Sequence, residues 1–248
     1  MNILILEEAE IGLRIPRADR RWAHIKKVLK KGPGDRIAAG LADGPLGEAV
    51  LLELDDAGLV LDFEERCESP PLAPLRLILG LPRPIQAARI LKELTSLGIE
   101  EIHLTVTELG EKSYAQSALF KDRDYRGPLI EGAEQAGNPR LPRVFNHWSL
   151  RRCLDAMSSK AVSSPPENRI VLHPYSDAPR MGAAIGSHAA LRPPVTLAVG
   201  SERGWTDAEL AALREAGFVA RSLGGRILKT ETAALAACVL ALAGLRLL

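Results

Sequence analysis

Two glycine-rich stretches hold the residues best suited to chemistry. The first, Val199-Gly200-Ser201-Glu202-Arg203-Gly204-Trp205-Thr206, follows a strand-like run and leads into a helix. Glycines there let backbone amides approach a ligand closely. The second, Leu223-Gly224-Gly225-Arg226-Ile227-Leu228-Lys229-Thr230-Glu231-Thr232-Ala233, sets two cations and two threonines between a strand and the last helix. It is not a phosphate-binding P-loop. That motif needs a glycine directly before the lysine and another five positions earlier, where this chain has Leu228 and Leu223. Each stretch also reads as a plain tight turn, with Thr230 or Thr232 capping the helix. Leu172-His173-Pro174 stands at a third strand end. A lone histidine is more often structural than reactive, but three strand-end loops make one shared pocket more plausible than any single loop does.

A different chemistry is written near the N-terminus. Residues 12–36 carry a charge of +7, and residues 37–72 carry −8, inside a chain whose net charge is only +1. Arg14, Arg17, Arg20, Arg21, His24, Lys26, Lys27, Lys30, Lys31 and Arg36 form the basic stretch. At helical spacing Arg20, Lys27, Lys30 and Lys31 share a solvent face opposite Ile25, Val28 and Leu29. Such a face is either merely solvated or contacts nucleic-acid phosphates, which supply most non-specific affinity. Glu131 and Glu134, three apart on a helix, suit acid–base work or an ordinary polar face.

These residues need elements to hold them. The 248 residues are 46% hydrophobic, 25% charged and 4% aromatic, which excludes a disordered, collagenous or disulfide-scaffold protein. Cys67, Cys153 and Cys238 lack metal or redox spacing, so no metal site is expected, and a reducing, cytoplasmic compartment fits. The N-terminus lacks the features of a signal peptide. The longest apolar run, 13 residues from Ala233 to Leu245, falls short of the roughly 18 that span a membrane. Short strands such as 50–54 and 59–63, close turns, and a helix from Asp19 to Lys30 predict a small β-barrel over residues 1–72. Ser69-Pro70-Pro71-Leu72-Ala73-Pro74 reads as a stiff linker. Residues 73–248 alternate strand and helix, which predicts an α/β domain with a mostly parallel sheet. Its expected strands are 75–81, 102–106, 170–173, 195–199 and 219–223. The expected helices are 85–97, 122–136, 208–216 and 231–247, and 158–168 is expected to be a loop. Thr206 and Glu209 form a capping box. Ligand sites in such sheets lie beyond the carboxyl ends of the strands.

Five segments, in order and over almost the whole chain, resemble the small-subunit (16S) ribosomal RNA uracil-N(3) methyltransferases of the SPOUT superfamily. His24-Ile25-Lys26-Lys27-Val28-Leu29-Lys30 resembles the family's His-x-x-x-Val-Leu-Arg. Leu94 to Gly98 followed by Thr107-Glu108 resembles its Glu-Leu-Gly and Thr-Glu segments, and Glu134-Gln135-Ala136-Gly137 its Glu-Gln-Ser-Gly. The most specific match is Leu223-Gly224-x-Arg226-Ile227-Leu228-Lys229-Thr230-Glu231-Thr232-Ala233. One loop departs: Gly200-Ser201-Glu202-Arg203-Gly204-Trp205 stands where the family usually has Gly-Pro-Glu-Gly-Gly-Phe.

The resemblance implies an N-terminal PUA-like barrel, a C-terminal α/β domain with a parallel sheet and a trefoil knot, a homodimer, and S-adenosylmethionine as methyl donor. A knot could not be read from sequence pattern, because threaded chains are so rare. The implied donor site comprises Leu172, His173, Val199, Gly200, Ser201, Glu202, Gly204, Leu223, Gly224, Ile227, Leu228, Thr230, Thr232 and Ala233. Arg226, then Arg203, would stabilise charge developing on the uracil, and Glu231 would orient an arginine or assist proton removal. Arg17, Arg20, Arg21, His24, Lys27 and Lys30 would hold ribosomal RNA or the small ribosomal subunit. The alternatives are the same chemistry on another RNA, a non-catalytic RNA-binding paralogue, and a nucleotide-dependent enzyme, which the failed P-loop match disfavours.

Overall fold

The computed structural model describes residues 2–158, 168–174, 178–182 and 191–248. The stretch 158–168, expected as a loop, lies outside the described residues except at its two ends. The chain divides into two compact units, Met1–Pro71 with Leu129–Leu141, and Leu72–Pro128 with Pro142–Leu248.

The first unit is built on β1 (Leu4–Leu6), β2 (Arg14–Pro16), β3 (Arg36–Leu41), β4 (Leu46–Leu54) and β5 (Gly58–Cys67). They form one sheet in the order β1-β3-β4-β5-β2. Only β1 and β3 run parallel. Alternate residues Ile37 and Ala39, Ala49 and Leu51, and Leu59 and Leu61 point to one core with Trp22 and Ile25. The helix expected from Asp19 to Lys30 is present but changes type. Asp19 caps an α-helical turn, Arg20–Ala23, and the chain continues as a π-helix, His24–Leu29, ended by Lys30 at φ 54°. The wider i→i+5 turn rotates later side chains off the α-helical face. Trp22 and Ile25 are therefore buried while Val28 is 65% and Leu29 37% exposed, contrary to the apolar face read from the sequence.

The second unit holds β6 (Ala73–Gly80), β7 (Ile99–Thr105), β8 (Arg143–His147), β9 (Arg169–Leu172), β10 (Val195–Val199) and β11 (Val219–Arg221). The order is β11-β9-β10-β6-β7-β8, with every pairing parallel. Its core row runs across the sheet through Val171, Ala198 and Ile78 to helices Leu150–Ser158 and Asp207–Glu215. Helix Thr230–Gly244 packs on β6, β10 and helix Pro84–Ser96.

The Thr206–Glu209 capping box is present. The last helix, however, is preceded by Lys229 with no side-chain cap, so neither Thr230 nor Thr232 caps it. The helix expected from Asp122 begins at Arg126. Strand β8 and helix Leu150–Ser158 are not among the expected elements, although Leu150, Cys153, Leu154 and Met157 repeat at helical spacing.

Candidate functional site

Strands β11, β9 and β10 are parallel neighbours, so their carboxyl ends reach the same edge of the sheet. The three loops leaving those ends line one cavity of about 750 Å³, counting the space at its open mouth. Leu172, His173 and Pro174 come from the first loop, Val199 to Trp205 from the second, and Leu223, Gly224, Arg226, Ile227, Leu228, Thr230 and Ala233 from the third. Glu231 and Thr232 lie outside this lining, on the first turn of the last helix.

The middle loop is pressed against the sheet by the absence of side chains. A Cβ on Gly80 would lie 2.3 Å from the Ser201 backbone nitrogen, and one on Gly200 would lie 2.9 Å from the Gly204 carbonyl carbon. Gly204 closes the turn at φ +76°, a conformation that favours glycine, and its amide donates to the Ser201 carbonyl at 2.9 Å. Polar contacts hold the loop from behind. The Thr107 hydroxyl donates to Ser201 Oγ at 3.0 Å, and buried Glu209 accepts from the amides of Thr206 and Glu108, each at 3.0 Å. Glu202 accepts from the Arg83 amide at 3.1 Å, at the start of helix Pro84–Ser96. An acidic group is favourable at that positive helix end.

The cavity therefore joins an apolar wall (Leu172, Val199, Trp205, Leu223, Leu228) to glycine loops rich in backbone polar groups. Trp205, which lines the cavity, is also packed into the core cluster behind it, and its Nε1 is buried without a hydrogen-bond partner. Arg203 and Arg226 are exposed lining residues without an ion pair among the described residues. Neither is paired with Glu231.

The basic stretch of the first unit proves to be largely neutralised within that unit. Arg14 pairs with Glu53 and Asp55, Arg17 with Asp56, Lys26 with Asp56, Lys31 with Asp35, and Arg36 with Glu48 and Glu64. Arg17 and Lys26 also stack over Trp22 at 4.9 and 4.7 Å. Arg21 is buried against Glu10 and Asp19 at 2.6 and 2.9 Å. Its guanidinium holds the Glu10 carboxyl below the usual carboxylate range, and Asp19 lies low for the same reason despite its burial. Arg20 reaches Glu134, whose carboxyl is pushed up by burial. Among the six proposed RNA contacts, His24, Lys27 and Lys30 have no ion pair among the described residues.

The fold also assembles a group that the sequence does not announce. His103, His147 and Cys153 bring their ligand atoms within 4.8 Å of one another, whereas the cysteine spacing predicts no metal site.

Comparison with known proteins follows the same lines. The family model described as "RNA methyltransferase domain" matches residues 68–242. The chain is 39% identical to the ribosomal RNA small subunit methyltransferase E of Treponema pallidum, covering 98% of this chain and 91% of the relative. It is 30% identical to methyltransferase E 1 of Borreliella burgdorferi, covering 97% of each. Among solved structures, a methyltransferase E from Neisseria gonorrhoeae bound to S-adenosyl methionine aligns with a TM-score of 0.69 at 24% identity, over 96% of this chain and 95% of that one. A putative methyltransferase from Legionella pneumophila with bound cofactor SAM aligns at 0.73 and 21%, over 98% of each chain. These two structures share the fold. With a family match over most of its length and a near full-length relative at 39% identity, the chain belongs to the RNA methyltransferase domain family.

Proposed function

We propose that this chain methylates ribosomal RNA with S-adenosylmethionine as donor, at N(3) of a uridine in the small-subunit (16S) RNA. The observation that carries this reading is the convergence of three strand-end loops on one part-apolar, glycine-rimmed cavity. The names of the relatives support the ribosomal RNA substrate.

The residues present fit such a donor: apolar side chains for an adenine ring and glycine-backed amides for polar groups. Leu172, His173, Val199, Gly200, Ser201, Glu202, Gly204, Leu223, Gly224, Ile227, Leu228, Thr230 and Ala233 would hold it, with Thr232 as an outer neighbour. When bound, it supplies a methyl group already activated on a sulfonium. The protein's task is then mainly to place a base in line with that methyl. The uracil imide is a better nucleophile as its anion, so a fixed cation near a carbonyl oxygen lowers the barrier. Arg226 is assigned that task first and Arg203 second. Glu231 pairs with neither arginine among the described residues, so of its two expected roles only taking the imide proton is kept.

Residues 1–72 are assigned as a PUA-like RNA-binding barrel, supported by the curled, mainly antiparallel sheet. Lys27 and Lys30, exposed and without ion pairs, are its leading phosphate contacts, joined by His24, Arg17, Arg20 and Arg21. Residues 73–248 are assigned as a SPOUT domain with a trefoil knot. In support, the chain leaves edge strand β11 and returns over β10 and β6 as the last helix. A homodimer is assigned from the family resemblance alone. Three unpaired cysteines accord with a cytoplasmic setting. No helix among the described residues is long and apolar enough to cross a membrane.

The test is nucleoside mass spectrometry of ribosomal RNA from cells with and without the gene. Loss of 3-methyluridine from the small-subunit RNA on deletion is expected; its persistence overturns the substrate assignment. The exposed Arg203 in the departing loop favours one second reading, the same chemistry on another RNA. Deletion would then remove a methyl group elsewhere.

A further inference from the structure

We propose that His103, His147 and Cys153 form a binding site for a thiophilic metal ion, Zn²⁺ or Cu⁺, with the Met157 thioether as its fourth neighbour. The site is separate from the methyl-transfer cavity and does not depend on that reading.

The argument begins with the sheet. In parallel register, Ile78 on β6 pairs with His103 on β7, and His103 pairs with Phe145 on β8. Val171, Ala198, Ile78, His103 and Phe145 therefore form one row on one face, otherwise wholly apolar. His103 is buried in that row, beneath the helix that carries buried Cys153. His147 is two residues beyond Phe145 and shares the face. His103 Nδ1 lies 3.0 Å from His147 Nε2, and Cys153 Sγ completes a triangle with no side above 4.8 Å. A tetrahedral ion with Zn–N near 2.1 Å and Zn–S near 2.3 Å sets its donors roughly 3.3 to 3.6 Å apart, inside the range these atoms span. Met157 Sδ, one helical turn from Cys153, lies 4.0 Å from its sulfur.

The surroundings match a metal site as well. His103 Nε2 meets Glu101 Oε2 at 3.2 Å, and Glu101 is anchored by Arg76 at 3.3 Å and Arg143 at 2.7 Å. A carboxylate on the far nitrogen fixes the tautomer and aims the near nitrogen at an ion. Thr105, next on the same face and the register partner of His147, is fully buried with no partner for its hydroxyl. Two imidazoles, one thiolate and a thioether select borderline-soft ions over Mg²⁺ or Ca²⁺. On binding, the Cys153 thiol gives up its proton to solvent and the imidazoles bind as neutral ligands. The competing arrangement is a metal-free histidine pair joined by one N–H···N hydrogen bond.

The test uses the intact wild-type chain, purified without chelator. Elemental analysis should find about one equivalent of zinc or copper. Co²⁺ added to metal-free protein should give the near-ultraviolet band of a thiolate–cobalt bond, displaced by Zn²⁺. Cys153→Ser should abolish the band, and Glu101→Gln should weaken Co²⁺ affinity roughly 10- to 100-fold. A wild-type chain that neither retains metal nor develops the band overturns the site. So does a band that survives Cys153→Ser, which would place cobalt at another cysteine. The wild-type spectrum decides the matter even if a variant fails to fold.

Discussion

Replacing Gly80 with alanine tests whether close backbone approach shapes the donor cavity. Gly80 ends β6 beside β10, and an added Cβ would meet the Ser201 backbone nitrogen at 2.3 Å and the Gly200 carbonyl carbon at 2.7 Å. Ordinary contact begins near 3.4 Å, so one strand end must retreat by about 1.1 Å. Both obstacles are backbone, and no rotamer change relieves them. Overpacking of this kind costs roughly 1–3 kcal/mol, and for 2 kcal/mol a domain of this size loses about 4–8 °C in Tm. Gly200 and Ser201 line the cavity, so the same strain falls on the donor-bound form, and roughly 1–3 kcal/mol corresponds to about 5- to 150-fold in Kd. Gly204→Ala is the control. Its Cβ would meet nothing within 4 Å, and only its φ of +76° is unfavourable, at about 1–2 kcal/mol. Calorimetric titration with S-adenosylmethionine, paired with thermal unfolding, reads both quantities. Gly80→Ala should remain folded and lose about 5- to 150-fold in donor affinity, while Gly204→Ala should lose less than tenfold. A folded Gly80→Ala protein that binds the donor with unchanged Kd would refute the reasoning.

Arg226→Ala should cut single-turnover methyl transfer by roughly 100-fold or more with donor affinity changed less than threefold; equal turnover removes Arg226 from the mechanism. Lys27→Glu with Lys30→Glu should weaken RNA binding and lower the slope of log affinity against log salt by about 2, measured by filter binding at several salt concentrations. An unchanged slope would move the RNA surface elsewhere. Arg21→Met should cost about 2–3 kcal/mol at pH 7, less than a fully buried pair because Glu10 and Asp19 keep some contact with water. Both carboxyls lie below their ordinary values of 4.5 and 3.8 in the fold, so their contribution is present above those values and lost as pH falls through the lowered ones. Urea unfolding should therefore show the wild type holding its full advantage over Arg21→Met above about pH 5 and losing it progressively as pH falls below the ordinary values of 4.5 and 3.8. A constant difference would contradict the ion-pair account.

Much of this protein is legible in its sequence because the relevant forces are local. The apolar runs at 75–81 and 195–199 are strands, and Thr206 with Glu209 starts a helix, since each signal acts over a few residues. The glycine loops were visible for the same reason. Even helix Leu150–Ser158, absent from the expected elements, carries its i, i+3, i+4, i+7 pattern. The charge map behaved differently. The +7 and −8 segments suggested a free basic face, yet hairpin pairing brings Glu48, Glu53, Asp55, Asp56 and Glu64 to the arginines and lysines and leaves few cations unpaired. The π-helical turn similarly moved Val28 from the expected core to solvent. Sequence alone determined the βα alternation, the helix cap and the three loops of the candidate site. Only the tertiary structure decided that parallel register sets His103 beside His147, 44 residues away, and beneath Cys153, because strand order and helix docking are set by packing between segments far apart in the chain.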